Sequence, residues 1–207
     1  MDYFALLGQP RQPWLDAVAL KAAFLEQSAR LHPDRVQAAS AEEKAAATGR
    51  FAELNAAYNC LREPKERLLH LLELESGAPP ANVQSVPADI VDLFMETGQV
   101  CRQTDQFLAA KGRASSPLLQ AQMFEQALEW TARLQELQER IHLRRGQLLA
   151  ELHPMNAAWN AAPPVPSPAR AGTLPLRRLE EMARTFSYIA RCDGQVQERL
   201  SQLTISS

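Results

Sequence analysis

Apolar residues recur along most of this chain at the three-and-four spacing of an α-helix, and no stretch alternates as a half-buried strand does. Leu20, Phe24 and Leu31, with Ala17 beside them, share one face and predict a helix over about 16–31. Asp16 stands at its N-cap, and Leu15 and Leu20 occupy the two hydrophobic-staple positions around it. Gln27 and Ser28 thin the stripe near its end. His32 stops it, because a residue before proline avoids the α region. Phe51, Leu54, Tyr58 and Leu61 predict a second helix over about 41–62, opened by Ser40 and Glu43 at capping-box spacing. A third starts at Pro64, carries Leu68, Leu71, Leu72 and Leu74, and ends near Gly77. Ahead of these, residues 2–8 make a short helical turn, and Pro10 and Pro13 enforce a loop. The connection between the two longer helices is roughly eight residues, short enough to make them antiparallel neighbours.

Residues 77–87, rich in Gly, Pro, Ser and Asn, read as a linker. Three further helices follow. The first, over about 88–111, carries Ile90, Leu93, Phe94, Val100, Phe107 and Leu108. The second, over about 117–152, carries Trp130, Leu134, Leu137, Ile141 and Leu148 at near-heptad spacing. The third, over about 176–203, carries Leu179, Met182, Phe186, Ile189, Val196, Leu200 and Leu203. Between the last two, about 153–175 is rich in Pro and Ala and is expected to be a mobile loop. One apolar stripe per helix makes a small bundle. The fold class is therefore all-α: an N-terminal helical module over 1–76, a linker over 77–87, and a three-helix bundle over 88–207.

Composition supports this and narrows the chemistry. Of 207 residues, 46% are hydrophobic and 22% charged, which allows a packed core. The net charge of −2 argues against a general nucleic-acid or anionic-membrane binder. The charge is even along the chain: residues 1–75 hold nine Lys/Arg against eleven Asp/Glu, and the rest hold thirteen of each. Cys60, Cys101 and Cys192 are odd in number and far apart, which suits reduced thiols in a cytoplasmic protein. No Cys-x-x-Cys suggests a zinc site, no stretch approaches a membrane span, and the helical pattern starts too early for a signal peptide. No metal or cofactor is expected. No Ser/His/Asp or Cys/His constellation and no Gly-rich phosphate loop is visible, so the chain does not read as an enzyme.

The sharpest candidate for function is His32-Pro33-Asp34, between the two antiparallel helices. Alone, such a tripeptide is an ordinary Pro/Asp turn. A stiff, Pro-bounded tip also presents His and Asp side chains to a partner at low entropic cost. Its flanks decide for recognition: Asp2-Tyr3-Phe4 with Leu6-Leu7-Gly8, then His32-Pro33-Asp34-Arg35, then Leu54-Asn55-Ala56-Ala57-Tyr58 with Leu61. In that order they resemble the J-domain family. Arg67-Leu68-Leu69-His70-Leu71-Leu72 narrows the resemblance to the HscB iron–sulfur co-chaperones, which have a similar length and a C-terminal three-helix bundle.

The resemblance implies that His32, Pro33, Asp34 and Arg35 contact a DnaK/HscA-type chaperone and promote ATP hydrolysis there. Lys21 is placed on the basic helix face such domains use, although Leu25 and Glu26 stand at positions usually basic or neutral. For Lys21 the competing reading is a solvated helix face, which also suits Arg30, so electrostatic steering is expected to be modest. Phe94-Met95-Glu96 and Phe186-Ser187-Tyr188-Ile189 resemble segments with which the family docks the IscU scaffold. This makes Phe94, Met95 and Tyr188 candidate scaffold-binding residues. Bundle core is the competing role, but Met95 and Tyr188 lie off the apolar stripes of their own helices. Gly98 stands where the family usually has leucine, and the charged run that follows there is absent. An alternative client for the same J-domain architecture, or an oligomerising bundle, therefore stays open. His70, His142 and His153 lack any ligand-like arrangement, and a structural or surface role is expected of each.

Overall fold

The computed structural model describes residues 1–31, 40–80, 85–113, 116–167 and 169–205. All regular structure among them is helical. The helices are α1 (Tyr3–Leu6), α2 (Ala17–Leu31), α3 (Ala41–Arg62), α4 (Pro64–Ser76), α5 (Val91–Lys111), α6 (Pro117–Ala161), α7 (Arg170–Thr173) and α8 (Leu176–Ile205). None of them is long and apolar enough to cross a membrane. The chain forms two compact units. One comprises Met1–Val83 with Leu149–Ala183, and the other Gln84–Leu148 with Arg184–Ser207.

In the first unit the local signals act as expected. The Asp2 carboxylate accepts from the Phe4 and Ala5 amides and opens α1. Asp16 accepts from the Ala19 amide at 2.7 Å and opens α2, with Leu15 and Leu20 buried around it. Ser40 and Glu43 form the reciprocal capping box of α3. At the end of α4, Gly77 takes the left-handed conformation (φ 77°), which glycine adopts without a Cβ penalty, and its N–H reaches the Glu73 carbonyl. Phe4, Leu7, Leu20, Leu54, Leu61, Leu68 and Leu71 close the core.

The segment expected to be a loop over about 153–175 departs most from expectation. Helix α6 continues to Ala161 with Pro154 inside it, and α7 adds a further turn. Proline costs the helix one hydrogen bond and crowds the preceding turn. Anchors on both sides offset that cost. Leu152 and Trp159 are buried, and Asn156 accepts from the Trp14 amide and donates to the Trp14 carbonyl, each at 3.0 Å. His153 meets the Trp14 ring edge-on at 4.6 Å. Further on, Arg170 holds buried Glu75 through two hydrogen bonds of 2.8 and 3.0 Å and donates to the Pro163 carbonyl. These contacts explain why Leu149–Ala183 joins the N-terminal unit, so the boundary expected at residue 88 does not separate all that follows it.

In the second unit, Ile90 at the N-cap of α5, Val100 and Phe107 of α5, Leu134, Leu137, Ile141 and Leu148 of α6, and Phe186, Ile189 and Val196 of α8 form the core. The predicted stripes are thus the buried faces. Helices α5 and α8 run parallel in a fixed register: Phe94 meets Tyr188, and Asp105 meets Arg199.

Candidate functional site

Helices α2 and α3 pack together, and the Phe24 and Tyr58 rings stack at 4.2 Å between them. Phe24 lies about half-way along α2 and Tyr58 close to the end of α3. Arg62 lies over the Tyr58 ring at 5.8 Å. The candidate recognition residues His32, Pro33, Asp34 and Arg35 lie outside the described residues. They follow directly on α2, and the capping box that starts α3 closes the stretch.

Lys21 is exposed on α2. Its surroundings are less basic than the resemblance implies. Arg30 is paired with Glu26 one turn before it on the same helix. Val18 (78% exposed) and Leu25 (54% exposed) share a face with Ala22 and Ala29, one step round the helix from Lys21. That outer face is therefore mainly apolar, with one cation at its margin.

The support beneath this pair is polar and buried, and sequence reasoning found only part of it. Arg67 donates to the Pro13 carbonyl at 2.8 Å and to the Leu61 carbonyl at 2.7 Å, tying α4 to the loop before α2 and to the last turn of α3. Burial pushes its pKa down to about 10. His70 takes the structural role expected of it. Its Nε2 accepts from the Tyr3 amide at 3.2 Å, and the ring packs on Phe4 and Tyr3. Burial lowers its pKa, in keeping with a neutral acceptor. In the sequence Arg67 is one basic residue in a leucine-rich helix, and its carbonyl partners are not adjacent to it.

In the second unit the three candidate scaffold-binding residues occupy one region. Phe94 and Tyr188 are half-buried and meet edge-to-face at 5.2 Å. Met95, next on α5, is 62% exposed. Arg191 lies over the Tyr188 ring at 5.3 Å. On its other side α5 is tied to α6. Glu96 takes two 2.7 Å hydrogen bonds from Arg140, and Asp89 pairs with Arg144. The Arg140 hydrogen bonds hold the Glu96 carboxyl below the usual range.

Among the described residues no group of three or more His, Cys, Asp or Glu could hold a metal ion. Cys60, Cys101 and Cys192 are free thiols, and burial raises the pKa of each, to about 11 at Cys60. Such thiols are poor nucleophiles.

Comparison with known proteins bears on the N-terminal segment and on the fold. Residues 2–70 match the family model described as the DnaJ domain. The co-chaperone protein HscB homologue of Chromobacterium violaceum is 35% identical over 96 residues, covering 46% of this chain and 55% of that protein. That of Bordetella avium is 44% identical over 72 residues, 35% of this chain and 43% of that protein. The chain thus spans about half the length of the curated relatives it matches. Among solved structures, chaperone HscB from Vibrio cholerae matches 98% of this chain and 99% of its own (TM-score 0.57, 21% identity). The human co-chaperone HscB matches 96% and 81% (TM-score 0.63, 16% identity). At those identities the likeness is one of fold. The chain carries a J-domain at its N-terminus and an HscB-like fold throughout.

Proposed function

We propose that this J-domain protein of HscB-like fold is a co-chaperone: it stimulates the ATPase of a DnaK/HscA-type chaperone and delivers an iron–sulfur cluster scaffold of the IscU kind to it. The observation that carries this reading is the joint occurrence of the two parts. A J-domain match covers residues 2–70, and the HscB-like architecture extends over nearly the whole chain.

In this mechanism the protein performs no chemistry and holds no cofactor. His32, Pro33 and Asp34, assisted by Arg35 and Lys21, engage the chaperone and favour the conformation that hydrolyses ATP. Contact is made through the outer face of α2, whose exposed Val18 and Leu25 give it apolar area and whose single Lys21 gives little steering. Phe94, Met95 and Tyr188 dock the scaffold. Because both surfaces belong to one chain, a bound scaffold is held near the chaperone at an effective concentration far above its free one. The setting is cytoplasmic.

The test is the single-turnover ATPase rate of a DnaK/HscA-type chaperone with wild-type chain and with Asp34→Asn. Stimulation by the wild type and its loss in the variant are expected. Equal stimulation by both would sink the co-chaperone reading. Retained stimulation with no binding of an IscU-like scaffold would leave the J-domain function and assign the bundle a different client.

A further inference from the structure

We propose that the α5/α8 face selects an acidic partner: a protein segment that sets an apolar side chain between carboxylates. The inference rests on the reading above, that this face docks the client, and goes beyond it by fixing the client's charge.

The parallel register of α5 and α8 brings two rows of side chains side by side. At helical spacing Met95, Gly98 and Arg102 share one face of α5, and α8 sets Tyr188 against Phe94 with Arg191 over the Tyr188 ring. The offset that pairs Phe94 with Tyr188 and Asp105 with Arg199 sets Arg191 level with the turn of Gly98. The result is a shallow apolar site with Phe94, Met95 and Tyr188 at one end and half-buried Gly98 beside it. A β-carbon on Gly98 would lie 3.4 Å from an Arg102 Nη atom, so the Arg102 guanidinium folds back over that backbone. Glycine inside a helix costs about 1 kcal/mol relative to alanine. Here the glycine lets the Arg102 side chain lie close over its backbone.

Charge then identifies the occupant. Three arginines of α6 and α8 are neutralised: Arg140 by Glu96, Arg144 by Asp89, and Arg199 by Asp105 and Glu198. Arg102 and Arg191 differ. Both are exposed, and neither has an ion-pair partner among the described residues; Arg191 only rests on the Tyr188 ring. Two uncompensated guanidinium groups flank an exposed methionine and an aromatic pair. Guanidinium forks match carboxylates in geometry as well as charge, and Arg102 and Arg191 would meet them without first breaking an internal pair. A basic segment would face repulsion from both.

The test uses the full-length chain and two labelled short peptides with the same Leu-Val anchor, one flanked by glutamates and its twin by lysines. Fluorescence anisotropy is read at low and high salt. We expect the glutamate peptide to bind and the lysine twin not to, with affinity falling as salt rises. The Arg102→Glu/Arg191→Glu variant should lose roughly tenfold or more for the glutamate peptide and gain the lysine twin, with an unchanged circular-dichroism melt. Met95→Ala should weaken the glutamate peptide without altering the charge preference. Equal binding of both peptides to the wild type, or indifference to the double reversal, would overturn the proposal. So would sedimentation showing a dimer that the double reversal dissolves, since the occupant would then be a second copy. A purified IscU-like scaffold run alongside separates the two readings. Scaffold binding unaffected by the reversal ends the charge inference alone. No scaffold binding, with the peptide preference intact, ends the scaffold reading alone.

Discussion

The two compact units differ in one respect: among the described residues the buried charged side chains all belong to the first, which also carries exposed ion pairs such as Glu26–Arg30. In the first, charged side chains are buried and bond to backbone or to one another: Arg67 to two carbonyls, Arg170 to Glu75 and the Pro163 carbonyl. In the second, the ion pairs Glu96–Arg140, Asp89–Arg144 and Asp105–Arg199 lie at the surface, each with at least one half-exposed member. A buried charge that loses its partner is strongly destabilising, whereas an exposed pair contributes little. The first unit is therefore built to hold one geometry around the α2–α3 pair. The second can change the charges on its face at small cost in stability.

Breaking the contrast at its strongest point means cutting the buried pair. Glu75→Ala should destabilise by about 3–5 kcal/mol, because it leaves the Arg170 guanidinium buried with only the Pro163 carbonyl. Urea melts of wild type and variant measure this, and a loss under 1 kcal/mol would contradict it. Arg67→Leu should follow at about 3 kcal/mol, since two buried carbonyls lose their donors. Chaperone stimulation should fall with it at temperatures where the fold loosens.

His70 sharpens the comparison through pH. Its folded pKa is lowered by burial, so the unfolded chain binds the proton more readily. Its contribution to stability is therefore complete above the ordinary histidine pKa of about 6.5, and is lost as pH falls below that value towards the folded one. Thermal melts should show stability falling between about pH 7.5 and 5.5, with a shallower fall in His70→Gln. Equal slopes would remove His70 from the account. The smallest effect is expected in the second unit: Glu96→Gln should cost about 0.5 kcal/mol, read from the same melts and fading in high salt.

Much of the framework was legible because it is local. The Asp16 cap, the Ser40–Glu43 capping box, the glycine stop at Gly77 and the helical stripes need only near neighbours in sequence. Resemblance along 2–70 located the J-domain, and whole-chain fold similarity agrees with the HscB-like reading. The contacts that sequence reasoning missed span long separations. Asn156 on Trp14 and Arg170 on Glu75 carry α6 through Pro154 and draw 149–183 to the N-terminal unit. Composition there spoke for a loop, and tertiary burial outweighed it. That Arg102 and Arg191 have no ion-pair partner among the described residues was equally hidden, because it depends on which neighbouring arginines find carboxylates.

The central claim is that one chain calls a chaperone with its first unit and presents a client with its second. Steady-state ATPase of a DnaK/HscA-type chaperone, titrated with an IscU-like scaffold, tests it most directly with wild type, Asp34→Asn and Tyr188→Ala. The account predicts no stimulation by Asp34→Asn at any scaffold concentration. It predicts ordinary scaffold-free stimulation by Tyr188→Ala, with the further rise on adding scaffold lost. A Tyr188→Ala response that follows the wild type across the whole titration would contradict the claim.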